Sequence, residues 1–79
     1  MRRKEFEDQM IDLAISRIIS NMEWGLQRIH EFHASPESVI DQVYGFNMGV
    51  IAVMPDRFYT LWIDKYTEMW NDWLVKARA

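Results

Sequence analysis

The residues best suited to metal chemistry are two histidines, His30 and His33, with Glu31 and Glu37 nearby. On a helix, residues three apart lie on the same side and can reach one metal ion. A complete site needs further ligands, and the chain has no cysteine and no second carboxylate–histidine pair. The spacing therefore predicts no metal site. The two imidazoles are better explained as groups near the free carbonyls at a helix C-terminus.

The candidates for nucleophilic catalysis are the serines Ser16, Ser20, Ser35 and Ser38. None lies in a nucleophile elbow or a triad motif, and Ser35 and Ser38 are better explained by helix capping. The carboxylates are scattered and no Gly-rich phosphate loop is present. A chain of 79 residues also leaves little room for a pocket. We therefore expect a protein that is not an enzyme and that has no cofactor.

Nucleic-acid binding is considered because small three-helix domains often bind DNA. The segment HASPES could form the turn of a helix-turn-helix, which would make residues 36–54 the recognition helix. That segment contains no Lys or Arg, and the net charge of the whole chain is -3. Nucleic-acid binding is therefore not favoured. A dimeric DNA-associated regulator, in which two chains together assemble a basic surface, remains the alternative function.

The aromatic residues indicate a different function. Six of the eleven lie between positions 56 and 77, in a chain that also contains six Met. Trp, Tyr, Phe and Met are enriched in the cores of protein interfaces. The sequence predicts a partner-binding surface formed by Trp62, Tyr66, Trp70, Trp73 and Leu74. The same residues would also suit a bundle core, and the sequence leaves that possibility open.

Three helices account for nearly all of the chain. In the first, about 5–33, a heptad seam follows alternating steps of four and three, and a second apolar flank contains Phe6, Met10 and Leu13. The second, about 36–54, begins with Ser35 and Pro36 at positions suited to a helix start. The third, about 56–77, follows Pro55. These elements predict an all-α three-helix bundle in a single domain, 1–79.

The second helix contains the uncharged stretch YGFNMGVIAVM, residues 44–54. A membrane span needs about 20 predominantly apolar residues, and this stretch is bounded by Asp41 and Pro55. It therefore predicts a soluble helix surrounded by other helices on most sides. Gly45 and Gly49 lie on one face, where we expect the closest approach of another helix, within the chain or across a dimer.

The apolar content is high for so small a chain. Hydrophobic residues make up 49% of the sequence, and a monomer of this size buries only about 60% of its surface. We therefore expect a homodimer. No signal peptide is visible, so we expect a cytoplasmic protein. The expected function is protein–protein interaction, as an adaptor, a regulatory inhibitor or an assembly factor with a protein partner.

Overall fold

A computed structural model describes residues 2–79 as three consecutive helices. They are α1 (Arg3–His30), α2 (Pro36–Ile51) and α3 (Asp56–Arg78). The expectation of an all-α fold with three helices is confirmed. The helices form an elongated body of 46 × 20 × 15 Å, whose long axis matches the length of about 42 Å that α1, with 28 residues, requires.

The heptad seam of α1 faces the core, as its spacing predicts. Ile11, Ile18, Met22 and Ile29 are buried, whereas Ile15 is half-buried. Phe32 would have continued the seam, but it is exposed because α1 ends at His30 rather than at residue 33. The predicted end was therefore about three residues too late.

The connection from α1 to α2 contains one residue with a left-handed backbone. His33 has a φ of 57°, and the backbone N–H of Ala34 donates to the carbonyl of Arg28 at 3.0 Å. The chain thereby turns within a few residues into α2. Ser35 occupies the N-cap position, as predicted, but its hydroxyl makes no capping hydrogen bond. Pro36 provides the fixed φ that favours the first helical position.

The interpretation of α2 as a helix surrounded on most sides is wrong. Its buried residues form one stripe, while Tyr44, Phe46, Gly45 and Gly49 are exposed. The helix ends at Ile51, earlier than the predicted Met54. α1 is instead the central helix. Its contact with α2 is more extensive than the contact between α3 and α2. Two neighbouring helices cover only one side of α2, so its remaining apolar residues stay uncovered.

The closest approach of helices within the chain lies at Gly25 of α1. A Cβ atom added there would lie 2.8 Å from Val43 Cγ2 and 2.9 Å from Trp73 Cζ2, closer than real Cβ contacts. At Gly45 and Gly49 the same added atom would meet nothing within 4 Å. The expectation that these two glycines mark the close packing is therefore wrong within the chain. A contact across a dimer stays a prediction.

α3 covers the side of α1 that α2 leaves free. Successive buried residues of α3 are separated by about two, two and one helical turns; they are Phe58, Tyr66, Trp73 and Ala77. Ion pairs connect both ends of α3 to the other helices: Arg57 with Asp8 at 2.7 Å, and Arg78 with Glu37 at 3.2 Å. All three helices therefore share one core, as the bundle fold requires.

Candidate interaction surface

The predicted aromatic surface is divided between the core and the exterior. Trp73 is 4% exposed and Tyr66 is 8% exposed, and the Trp73 Nε1–H donates to the carbonyl of Met22 at 2.8 Å. Neither side chain presents appreciable surface to a partner in this structure. Trp62, Trp70 and Leu74 are half-buried. Their role as partner contacts stays a prediction, whereas Tyr66 and Trp73 fill the bundle.

A chain of polar side chains crosses the core and connects all three helices. Asn47 is completely buried. Its Oδ1 accepts from Asn21 Nδ2 at 3.2 Å, and its Nδ2 donates to the Tyr66 hydroxyl at 3.4 Å. Burial raises the pKa of Tyr66 above its ordinary value; the Asn47 hydrogen bond lowers it and nearby Tyr44 raises it. No buried side-chain nitrogen or oxygen in the described part of the chain lacks a hydrogen-bond partner, so the network links the helices and presents no unpartnered polar atom.

One partly exposed apolar surface lies where α2 meets α3. The Tyr44 ring is exposed and packs edge-to-face on Trp70 at a centroid distance of 5.9 Å. Trp70 in turn stacks on Trp73 at 5.1 Å. Helical spacing places uncharged residues alongside this aromatic group. We name this surface the neutral face; its residues are Tyr44, Met48, Ile63, Trp70 and Leu74.

A second uncovered surface is a groove between α1 and α2, with a volume of about 440 Å³. The residues that line this α1–α2 groove are Met10, Leu13, Ala14, Arg17, Phe46, Gly49, Val50, Val53 and Met54. It continues into a depression of about 390 Å³ that shares Arg17, Phe46 and Val50 and adds Ser16, Ser20 and Asn21. Because Gly49 has no side chain, its position in the wall stays open.

Aromatic residues form a wall beyond the far end of the groove. Trp24 of α1 packs edge-to-face on Phe46 of α2, with ring centroids 5.6 Å apart. The Arg28 guanidinium lies 5.9 Å from the Trp24 centroid and 5.4 Å from that of Phe32, which are cation–π distances. One cation, Arg28, thus lies beside two exposed aromatic rings of this wall.

The α1 side of this groove is partly visible in the sequence. The second flank of Phe6, Met10 and Leu13 indicates a helix with more than one apolar side. The structure covers one side with the core and leaves Phe6 and Leu13 exposed. Phe46 of α2 and Val53, just beyond the end of α2, were missed as surface groups, because the uncharged run gives no sign of which residues face outward.

Two histidines and three of the arginines lie outside the groove and the neutral face. His30 and His33 are both exposed, and no cluster of three or more potential metal ligands occurs within residues 2–79. Arg3, Arg57 and Arg78 each pair with a carboxylate. These pairs neutralise three of the cations that a basic DNA-binding surface would need.

Comparison of the chain with protein families, curated proteins and solved structures finds no match. Within the described part of the chain, no helix has a stretch of sufficient length and hydropathy to cross a membrane.

Proposed function

We propose that this protein is a small non-enzymatic interaction module, which acts as an adaptor, a regulatory inhibitor or an assembly factor for another protein. The observation that supports this function is the α1–α2 groove, an apolar concavity left open between two helices. Several large apolar residues on its walls and rim are at least one-third exposed: Leu13, Trp24, Phe46 and Val53. Contiguous exposed apolar surface of this kind is typical of interaction sites.

The shape of the groove indicates how a partner would bind. Two packed helices that leave an apolar channel between them receive the apolar side of a third helix in the helix-in-groove mode. The rim residues Ser16 and Ser20 are polar and exposed, which matches the polar rim around an apolar interface centre. The proposed contact therefore centres on the α1–α2 groove rather than on the buried aromatic residues Tyr66 and Trp73.

We also propose that two copies associate through the neutral face. This face contains no charged residue at its centre, so two copies can meet there without burying an unpaired charge. The prediction is a sedimentation-equilibrium mass, at micromolar concentration, of twice the 9.5 kDa chain. Tyr44→Glu, at an exposed position, is expected to give the single-chain mass. A wild-type protein that sediments as a single 9.5 kDa species contradicts the dimer.

The test of the interaction function uses the two exposed glycines as a matched pair. Gly49→Leu fills the groove wall, whereas Gly45→Leu adds the same side chain outside the groove residues, and at both positions an added Cβ meets no neighbour. Each tagged variant is purified from the native host beside the wild type, and bound proteins are quantified. We expect a stoichiometric partner that Gly49→Leu loses and Gly45→Leu retains. Equal recovery with both variants would exclude the groove as its binding site.

A further inference from the structure

We propose that the partner of the α1–α2 groove is an amphipathic helix that carries two carboxylates three helical turns apart, which pair with Arg17 and Arg28. This inference rests on the proposed function and specifies its partner by charge. It follows from the position of the two cations relative to the apolar channel.

Arg17 is the source of the charge preference. Among the described residues that line the groove and its adjoining depression, Arg17 alone carries a charge. It has no carboxylate within salt-bridge distance in the part of the chain that the structure describes. A ligand that covers the groove removes water from around this guanidinium. Its binding is therefore favoured when it brings a carboxylate, which pairs with arginine through two parallel hydrogen bonds.

Arg28 supplies the second cation, and its distance from Arg17 sets the expected spacing of the partner's carboxylates. The steps from 17 to 21, 24 and 28 place both arginines on one stripe of α1. They are eleven residues apart, which corresponds to about 16 Å along the helix axis. The Trp24 and Phe32 rings hold the Arg28 guanidinium beside them. A partner helix that runs along α1 would therefore present its carboxylates about eleven residues apart on one side.

A second copy of this chain is a poor occupant of the groove. Residues 42–54, which supply the α2 wall, contain no charged residue. Two copies joined groove to groove would therefore bury both Arg17 side chains with no carboxylate among the facing groove residues, which is strongly unfavourable. If the groove received a different surface of a second copy, the contact would be head-to-tail and would tend to continue into open assemblies. The charge of the groove thus favours a separate, acidic partner.

The experiment selects binders without assuming the acidic residues. A displayed library of helical peptides of about 18 residues carries a fixed apolar stripe, and its other positions are random. Peptides that bind the Gly49→Leu variant are first removed from the library, and the remainder is selected on the full-length protein. We expect enrichment of Asp or Glu at pairs of positions eleven apart. For a selected peptide, Arg17→Glu is expected to weaken binding about tenfold or more, while Gly45→Leu leaves it unchanged.

The outcomes separate the inference from the function on which it rests. Selected peptides that discriminate against Gly49→Leu but show no acidic preference would overturn this inference and leave the interaction module standing. A selection with no peptide sensitive to Gly49→Leu would contradict both. Binding to anionic phospholipid vesicles that Gly49→Leu abolishes would assign the groove to a lipid surface and overturn the acidic helix. Dissociation of the homodimer by Gly49→Leu would assign the groove to a second copy and would likewise overturn the acidic helix.

Discussion

Asn47 is a single polar residue that joins three helices through buried hydrogen bonds. It is the one polar residue that is buried among the described residues, and it lies between Asn21 of α1 and Tyr66 of α3. A buried amide without partners costs considerable free energy, so any packing that separated these residues would be disfavoured. We therefore expect the network to favour this packing over alternatives, a role known for some buried polar residues.

Replacement of Asn47 tests this network. We expect Asn47→Leu to lower the free energy of unfolding by about 1–3 kcal/mol, because the Tyr66 hydroxyl loses its donor in a buried position. The measurement is urea denaturation followed by Trp fluorescence. Adding Tyr66→Phe to Asn47→Leu removes the stranded hydroxyl, so the double variant should be more stable than Asn47→Leu alone. A double variant with additive losses would show that Asn47 and Tyr66 are not coupled.

We expect the buried Tyr66 phenol to make the stability of the protein depend on alkaline pH. Burial raises its pKa above the value in the unfolded chain, so the folded state favours the neutral phenol. Its contribution to stability is fully present below the unfolded pKa of about 10 and is lost as pH rises through the raised folded pKa. We expect the free energy of unfolding to fall more steeply between about pH 9 and pH 11 in the wild type than in Tyr66→Phe. Parallel slopes from denaturation curves would contradict the burial effect.

At the scale of elements, the heptad spacing of α1 identifies its core residues, whereas the composition of α2 misleads. Periodicity shows which residues can share a buried side. In α2 the apolar residues lie on nearly every side, so the pattern cannot show which of them the chain covers. Which residues of α2 are covered depends on how many helices pack against it. In the structure Val43 and Asn47 are buried, whereas Tyr44 and Phe46 are exposed.

The glycines and the tryptophans show the same limit on sequence interpretation. Gly25, Gly45 and Gly49 are identical in type, but only the position of Gly25 against Val43 and Trp73 requires the absence of a side chain. Trp70 and Trp73 are three residues apart, and only Trp73 is fully inside. In both cases the difference comes from the packing of distant segments, which a single sequence does not display.

Alanine substitutions at the three glycines test the assignment of the helix approach. Gly25→Ala is expected to lower the free energy of unfolding by about 1–3 kcal/mol, because the methyl group would overlap Val43 and Trp73. Gly45→Ala and Gly49→Ala should instead raise it by about 0.5–1 kcal/mol each, since alanine favours the helix and meets no neighbour. Thermal unfolding followed by circular dichroism checks the sign at each position. Stabilisation by Gly25→Ala would contradict the close α1–α2–α3 contact.

At the scale of the whole molecule, the length and narrowness of the bundle explain its uncovered surfaces. A body only 15–20 Å across has little interior relative to its surface. A sequence that is 49% hydrophobic therefore leaves apolar residues outside, among them Tyr44 on the neutral face and Leu13, Phe46 and Val53 in the α1–α2 groove. We propose the neutral face for a second copy and the groove, which Arg17 lines, for a different partner.

Site-specific photo-crosslinking in the native host tests most directly whether the groove is the interaction surface. The crosslinking residue p-benzoylphenylalanine replaces Val53 in the groove or, as the matched control, Val75 on α3; the two valines are 69% and 73% exposed. Their similar exposure makes nonspecific capture similar at both sites. We expect a discrete crosslinked protein from position 53 and none of comparable yield from position 75. Crosslinks of equal yield at both positions, or a partner captured from position 75 alone, would contradict the groove as the interaction surface.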